Sequence, residues 1–367
     1  MVLPWLEARG PRDERARMGA LGSLLLAPLA PASWLYGAAA RAHRAAHSGH
    51  WLRTRRLPCR VVSVGSLVVG GSGKTPLAAW VAAGLHARGH RVVLATRGYR
   101  RSRRDAVHTL SDGRRLRGDS VGSGDEPLVL AAHSAGVPVL VGRDRGLVGL
   151  RAVAAFGADV LVLDDGFQHH RLHRDLDLVT FDGRFGLGNG HVLPRGPLRE
   201  PASALAHADA LAVIDGPLES PDEQAIARLA ANPYRIVARR RPTQLGDIRG
   251  GRGEPPTALA GMRVGMLAGL GQPDAFQRTL EAHGATVVAR RCFADHHRYR
   301  PRDVRDLHRE AETWVTSEKD AVKILPGWSR ADLRVLRMTL EVEAGAEVLG
   351  WIEDRLVRDQ ADLRPST

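Results

Sequence analysis

The sequence predicts an α/β fold, a mostly parallel sheet with helices on both faces, joined to a smaller α/β lobe and preceded by an apolar N-terminal helix. Three observations carry that expectation. Short Val/Leu runs bounded by Gly or Asp alternate with Ala/Leu/Arg segments of helical period from about residue 60 onward. One such run, Val61–Gly65, passes directly into a glycine-rich turn and then a helix. A second and shorter alternation of the same kind starts at Val264, after an Arg/Gly/Pro-rich stretch.

In the first series, strands are predicted at Val61–Gly65, Val92–Thr96, Val137–Val141, Val160–Leu163, Leu178–Phe181 and Ala210–Ile214. Helices fall between them, at about Lys74–Ala87, Asp125–Ala135, Arg145–Phe156 and Asp222–Ala231. Arg240–Pro256, rich in Arg, Gly and Pro, reads as a linker or exposed loop. The second series has strands at Val264–Ala268, Thr286–Arg290 and Thr313–Thr316, with helices at Asp274–Ala282 and Pro301–Glu310. A strand at Val335–Val342 and a helix at Ala346–Val357 complete the tail. The expected division is an N-terminal segment 1–50, a first domain 51–240, a smaller lobe 241–342 and a tail 343–367.

Composition bounds the function. With 44% hydrophobic and 25% charged residues the chain can bury a substantial core. A formal net charge of +13, carried mostly by Arg with very few Lys, favours anionic partners: nucleic acid, phosphorylated small molecules or an anionic membrane face. Charge alone does not choose among them. Cys59 and Cys292 form no C-x-x-C pair, which argues against a zinc ribbon, a thioredoxin-like motif or a disulfide scaffold.

From Met18 to Ala40 there is no charged residue, and Arg15, Arg17, Arg41 and Arg44 flank the run. It is long enough to span a bilayer, but Pro28 and Pro31 interrupt it. A secretory signal, a single span, a kinked helix in the membrane interface and a helix packed on the protein's own core are the competing readings. The interfacial helix accounts best for the prolines and the Arg flanks.

The turn after Val61–Gly65 reads Ser66-Leu67-Val68-Val69-Gly70-Gly71-Ser72-Gly73-Lys74-Thr75. Small residues let consecutive backbone N–H groups face a phosphate, a helix N-terminus follows, Lys suits the β/γ-phosphates and a Thr hydroxyl suits Mg²⁺. This is a P-loop in its strand–loop–helix setting, so residues 68–75 (Val68, Val69, Gly70, Gly71, Ser72, Gly73, Lys74 and Thr75) are the candidate ATP-binding segment. Val68 stands where the first glycine is usual, with Gly70 and Gly71 supplying the flexibility.

A P-loop protein also needs a carboxylate at the end of a neighbouring strand for Mg²⁺. Asp164 and Asp165, at the end of Leu161-Val162-Leu163, meet that need. GTPase signatures are missing: no D-x-x-G follows, and Lys319 is followed at once by Asp320. A kinase acting on an alcohol benefits from a base near the acceptor hydroxyl. Gly124-Asp125-Glu126-Pro127 at a helix start and Phe293-Ala294-Asp295-His296-His297-Arg298-Tyr299 after a strand each offer one. His169, His170 and His173 match no zinc spacing.

These residues together resemble the tetraacyldisaccharide 4'-kinase family of the lipid A pathway. The resemblance runs through Val69–Pro76, Thr96-Arg97-Gly98-Tyr99, Gly124–Pro127 and the block from Asp164-Asp165-Gly166-Phe167-Gln168-His169 to Pro194–Glu200. It continues through Ala268–Gly271, Phe293–Tyr299 and Thr316–Ala321, covering the chain from about Trp34 to Val342. Ser66 stands where the family usually has Asn. The resemblance implies ATP- and Mg²⁺-dependent phosphorylation of the 4'-hydroxyl of tetraacyldisaccharide 1-phosphate, giving lipid IVA. It implies a peripheral enzyme on the cytoplasmic face of the bacterial inner membrane, with a lipid substrate, no nucleic acid and no obligate protein partner. Lys74 would hold the transferring phosphate and Thr75 the Mg²⁺, with Asp164, Asp165, Gln168 and Glu126 serving the metal. Asp125 and His296 would form the dyad that takes the acceptor's proton, with Asp295 orienting His296. Arg97, Arg100, Arg101, Arg195 and Arg199 are candidates for the substrate's 1-phosphate or for lipid headgroups.

Overall fold

A computed structural model of the chain describes residues 26–98, 105–118, 122, 124–230, 232–250 and 253–361. The candidates Arg100 and Arg101, together with Tyr99 and the apolar run before Leu26, lie outside the described residues. The strands are β1 (Arg60–Gly65), β2 (Val92–Thr96), β3 (Val107–Asp112), β4 (Pro138–Gly142), β5 (Val160–Asp164) and β6 (Leu176–Asp182). They continue as β7 (Ala210–Ile214), β8 (Tyr234–Asp247), β9 (Arg263–Ala268), β10 (Thr286–Cys292), β11 (Thr313–Ser317) and β12 (Asp332–Val342). The α-helices are α1 (Ala30–Ser48), α2 (Lys74–Ala87), α3 (Asp125–His133), α4 (Arg145–Phe156) and α5 (Ser220–Leu229). The remaining helices are α6 (Pro273–Ala282), α7 (Pro301–Val304), α8 (Glu318–Ala321) and α9 (Gly345–Ala361).

Two compact units emerge. The first comprises Met1–Thr96, Asp144–Arg239 and Val342–Thr367; the second comprises Arg97–Arg143 and Arg240–Glu341. The crossing at Arg239/Arg240 falls beside the expected boundary of 240/241, while residues 97–143 group with the second unit.

In the first unit β1 lies between β5 and β6, and the parallel order runs β2-β5-β1-β6-β7-β8. Strands β2, β5, β6 and β7 are buried along their whole length, as both faces are covered. Helix α2 returns over this sheet on Leu77, Ala78, Val81 and Leu85, all fully buried. A second apolar cluster joins Leu67, Val68, Phe167, Phe181, Leu198 and Leu205, and so ties the loop after β1 to the block around Leu198.

Helix α1 also belongs to this unit. Ser33 Oγ donates to the Val192 carbonyl at 2.7 Å and Tyr36 Oη to the Arg199 carbonyl at 2.9 Å. Arg44 Nε pairs with Glu200 Oε2 at 2.7 Å, and its guanidinium lies 4.6 Å over the Phe167 ring. The docked face is therefore small and polar, while Trp34 (70% exposed) and Leu35 (66%) face away. No helix among the described residues is long and apolar enough to cross a membrane, and the first part of the apolar run lies outside them.

The second unit carries the parallel series β10-β9-β11-β12 and the antiparallel pair β3/β4. Its core gathers Val264, Met266, Leu280, Val315 and Leu336 on one side of the strands, and Trp314, Val304 and Leu307 on the other. Three sequence expectations need correction here. Strand β3 is missing from the predicted set. The supposed linker Arg240–Pro256 is, up to Asp247, the continuation of β8. Arg235, Arg239 and Arg241 are exposed at even spacing along it, with Arg241 pairing Glu341 at 2.5 Å, so a polar composition concealed an extended strand. The expected helix Pro301–Glu310 is one turn, α7, followed by a 3₁₀ turn at Leu307–Arg309.

Candidate active site

Chemistry-bearing residues gather at two places, one in each unit. In the first unit the loop after β1 is stapled before it reaches its glycines. Ser66 Oγ donates to the Thr180 carbonyl at 3.0 Å and accepts the Val68 N–H at 3.1 Å. The Val69 N–H goes to the Pro197 carbonyl at 2.9 Å, and Val68 bridges Leu198. This explains the missing glycine: Val68 is extended and 6% exposed, an apolar anchor rather than part of a turn. The N–H groups of Val68 and Val69 are thus engaged inside the protein, and further along the turn the Ser72 N–H donates to the Gly70 carbonyl at 2.9 Å. At Gly73, φ is +81° and a Cβ would come within 2.4 Å of Ile214, so no other residue fits where the chain enters α2.

Beyond that turn, Lys74 and Thr75 open α2 beside the end of β5. Register pairing sets Val64 against Asp164. Thr75 Oγ1 donates to Asp164 Oδ1 at 3.2 Å, while Thr96 Oγ1, at the end of β2, donates to Asp164 Oδ2 at 3.1 Å. Asp165, in a left-handed conformation at φ +57°, accepts two hydrogen bonds from Arg199 Nη1 at 2.7 and 2.9 Å and lies 3.9 Å from Lys74 Nζ. Burial pushes the Asp165 carboxyl up, but the charges of Lys74, Arg199 and Arg145 prevail and hold it below the usual range. Arg145, itself 3% exposed, donates to the Asp164 carbonyl at 3.3 Å.

In the second unit α3 begins at Asp125, and His296 Nδ1 lies 3.0 Å from Asp125 Oδ2. His296 sits at φ +61°, a left-handed position that a non-glycine residue occupies at some cost in strain. On its other side, Nε2 is 3.5 Å from Lys319 Nζ. An ammonium cannot accept a hydrogen bond, so a neutral imidazole in this contact carries its proton on Nδ1, facing Asp125. Lys319 also pairs with Asp295 at 3.3 Å and Glu126 at 3.5 Å, and these carboxylates keep its ammonium above the ordinary Lys range against the opposing effect of burial. Burial would raise the Asp125 carboxyl too, but His296, Lys319 and Lys323 bring it down to about 2.

Several expected roles change with this geometry. Asp295 reaches His296 through the backbone, accepting its N–H at 3.0 Å, and stands 3.9 Å from Nε2, while Asp125 occupies the Nδ1 side. Gln168 turns its amide nitrogen to the Ser66 carbonyl at 3.1 Å. Glu126, in the second unit, faces Lys319 at 3.5 Å. Among the described residues no group of three or more His, Cys, Asp or Glu stands ready to hold a metal ion, the His169/His170/His173 stretch included. The hard oxygens of Thr75 and Asp164 nonetheless fit Mg²⁺ held largely by waters and a nucleotide's phosphates. Arg199 is engaged by Asp165, Arg195 is half-buried with its carbonyl bound by Asn189 Nδ2 at 2.9 Å, and Arg97 is exposed. Thr96, Arg145, Lys319 and Lys323 were not singled out from the sequence; for the lysines the signal existed, since they stand among very few in an Arg-rich chain.

A parallel sheet with a glycine-rich loop opening a helix, Lys and Thr at its mouth and an acidic strand end beside it, defines a P-loop phosphotransferase. A family model described as tetraacyldisaccharide-1-P 4'-kinase matches residues 25–357. The chain belongs to that family. The tetraacyldisaccharide 4'-kinase of Anaeromyxobacter dehalogenans (strain 2CP-C) is 44% identical over 347 residues, 91% of this chain and 92% of its own length. That of Geobacter metallireducens is 39% identical, covering 87% of this chain and 96% of the relative. A crystal structure of Aquifex aeolicus LpxK in complex with ATP superposes with a TM-score of 0.74 at 28% identity, over 90% of this chain and 99% of that one.

Proposed function

We propose that this chain transfers the γ-phosphate of ATP to the 4'-hydroxyl of tetraacyldisaccharide 1-phosphate, forming lipid IVA in lipid A biosynthesis. The hydroxyl oxygen forms the new P–O bond, the bond from γ-phosphorus to the β,γ-bridging oxygen breaks, ADP leaves, and the hydroxyl proton passes to the protein. Lys74 and the N–H groups from Gly70 onward cradle the nucleotide's phosphates. Thr75 and Asp164 would hold Mg²⁺, which when bound would supply charge neutralisation for the transferring phosphate. The Asp125–His296 dyad receives the proton: the carboxylate faces the acceptor, and the imidazole, its Nδ1–H on Asp125, fixes that carboxylate.

The observation that supports this reading most is the 3.0 Å approach of His296 Nδ1 to Asp125, residues 171 positions apart that two separate family motifs supply. We also propose that the enzyme docks peripherally on the cytoplasmic face of the inner membrane through Trp34, Leu35, Trp51 and Leu52, all exposed. Arg97 and Arg195 remain the candidates for the anionic groups of the lipid.

Incubation with γ-labelled ATP and tetraacyldisaccharide 1-phosphate in detergent tests the reaction. Label enters the lipid if the proposal holds. Free phosphate with no labelled lipid would mark a P-loop ATPase instead. Asp125→Ala and His296→Ala should each lower kcat by about 10²- to 10⁴-fold with ATP binding kept; wild-type rates in both would sink the base assignment.

A further inference from the structure

The chain contains three lysines among its 53 basic side chains: Lys74, Lys319 and Lys323. One is in the phosphate loop. The other two stand one helical turn apart on and just after α8, and both face Asp125 and its neighbours. Where arginine serves nearly everywhere else, these positions use a compact ammonium, which concentrates its charge at one point on a slender stem.

Lys323 is the more buried, its side chain 8% exposed. Its Nζ lies 2.9 Å from Asp320 Oδ1 and 3.7 Å from Asp125 Oδ2, with the face of the Tyr299 ring 5.4 Å away. Asp320 is fully buried and firmly held: Oδ2 accepts the Gly269 N–H at 2.9 Å and the Ser317 hydroxyl at 2.8 Å. A Cβ at Gly269 would come within 2.8 Å of Asp320 Oδ1 and 3.1 Å of the Tyr299 hydroxyl, so a glycine is required for the carboxylate to sit there. A fixed buried anion holds the ammonium, and the ammonium in turn reaches the dyad.

We propose that Lys323 is a positioning residue for the base: anchored on Asp320, its ammonium holds the Asp125 carboxylate in the orientation that His296 and the acceptor hydroxyl require. The proposal rests on the base role given to Asp125 and His296 above. Lys319 acts on the opposite side, at Nε2 of the imidazole. Lys323 approaches the dyad at the Asp125 carboxylate, so it acts on the orientation of Asp125.

Lys323→Met leaves Asp320 as a buried unpaired anion, so the informative variant is the charge-balanced double, Asp320→Asn with Lys323→Met. Purified full-length protein would be assayed for kcat, for KM with ATP and for melting temperature. The expected result is a kcat lowered by about 10- to 100-fold, with KM for ATP within about twofold of wild type and a cooperative melt. A wild-type kcat in the double variant overturns the proposal. Failure of both the single and the double variant to fold also overturns it, by assigning Lys323 to stability alone. Asp125→Ala and His296→Ala, assayed alongside, separate the two readings. If they keep the wild-type kcat, the base assignment falls; if they collapse it while the double variant does not, only the role of Lys323 falls.

Discussion

Thr75 and Asp164 meet at 3.2 Å, hydroxyl to carboxylate, although 89 positions separate them in the chain. Asp164 is held from its other oxygen by Thr96, so its orientation is set by two hydroxyls on two different elements. If Asp164 holds Mg²⁺, Thr96 is its supporting partner. Thr96→Val should then raise the Mg²⁺ concentration for half-maximal turnover by about 10-fold, and Thr96→Ser should restore it. A titration of turnover against Mg²⁺ at saturating ATP checks this.

Arg199 was expected at the lipid's phosphate, yet it is committed to Asp165. Removing it leaves that carboxylate to Lys74, 3.9 Å away, and draws Lys74 away from a nucleotide's phosphates. Arg199→Ala should therefore raise KM for ATP by about tenfold, or about 1.4 kcal/mol, with KM for the lipid little changed. Steady-state kinetics in both substrates decide it: a rise confined to the lipid KM would return Arg199 to the 1-phosphate.

Asp125 has a folded-state value of about 2, below the unfolded value of about 3.9. A depressed carboxyl stabilises the fold fully above its unfolded value, and that contribution fades as pH falls toward the folded one. The contribution of the Asp125 carboxylate to the melting-temperature gap between wild type and Asp125→Asn should be present at about pH 4 and be lost below that. A gap that does not narrow between about pH 4 and 2 would contradict the pairing of Asp125 with His296, Lys319 and Lys323.

The two faces of α1 should respond differently to substitution. Trp34→Ser with Leu35→Ser should weaken binding to anionic vesicles and leave the melting temperature unchanged, because both side chains are exposed. Arg44→Ala removes the guanidinium from Glu200, whose side chain is 5% exposed, and should destabilise by about 3–5 kcal/mol. Vesicle co-sedimentation and chemical unfolding give the two readouts.

Much of the fold was legible because its signals are local. Val92–Thr96 and Ala210–Ile214 are apolar runs of strand length, and Lys74–Ala87 and Arg145–Phe156 carry unbroken helical period; all four appear where expected. Strand β8 was hidden because it alternates arginine with buried residues, and a composition-based reading hears only the arginine. The phosphate loop was legible from spacing, but the diversion of the Val68 and Val69 N–H groups was not, since their acceptors are Ser66 and the distant Pro197. Likewise Asp125 and His296 could be paired only through the resemblance; no spacing rule links residues brought together by α3 and the turn after β10.

The three lysines have one further practical consequence. Acylating reagents have three side-chain amines to modify, one at 13% exposure in the nucleotide loop and two at 24% and 8% beside the dyad. Peptide mapping after brief acylation thus becomes a footprint of the two sites. Nucleotide should shield Lys74 and acceptor lipid should shield Lys319, each read from its own peptide.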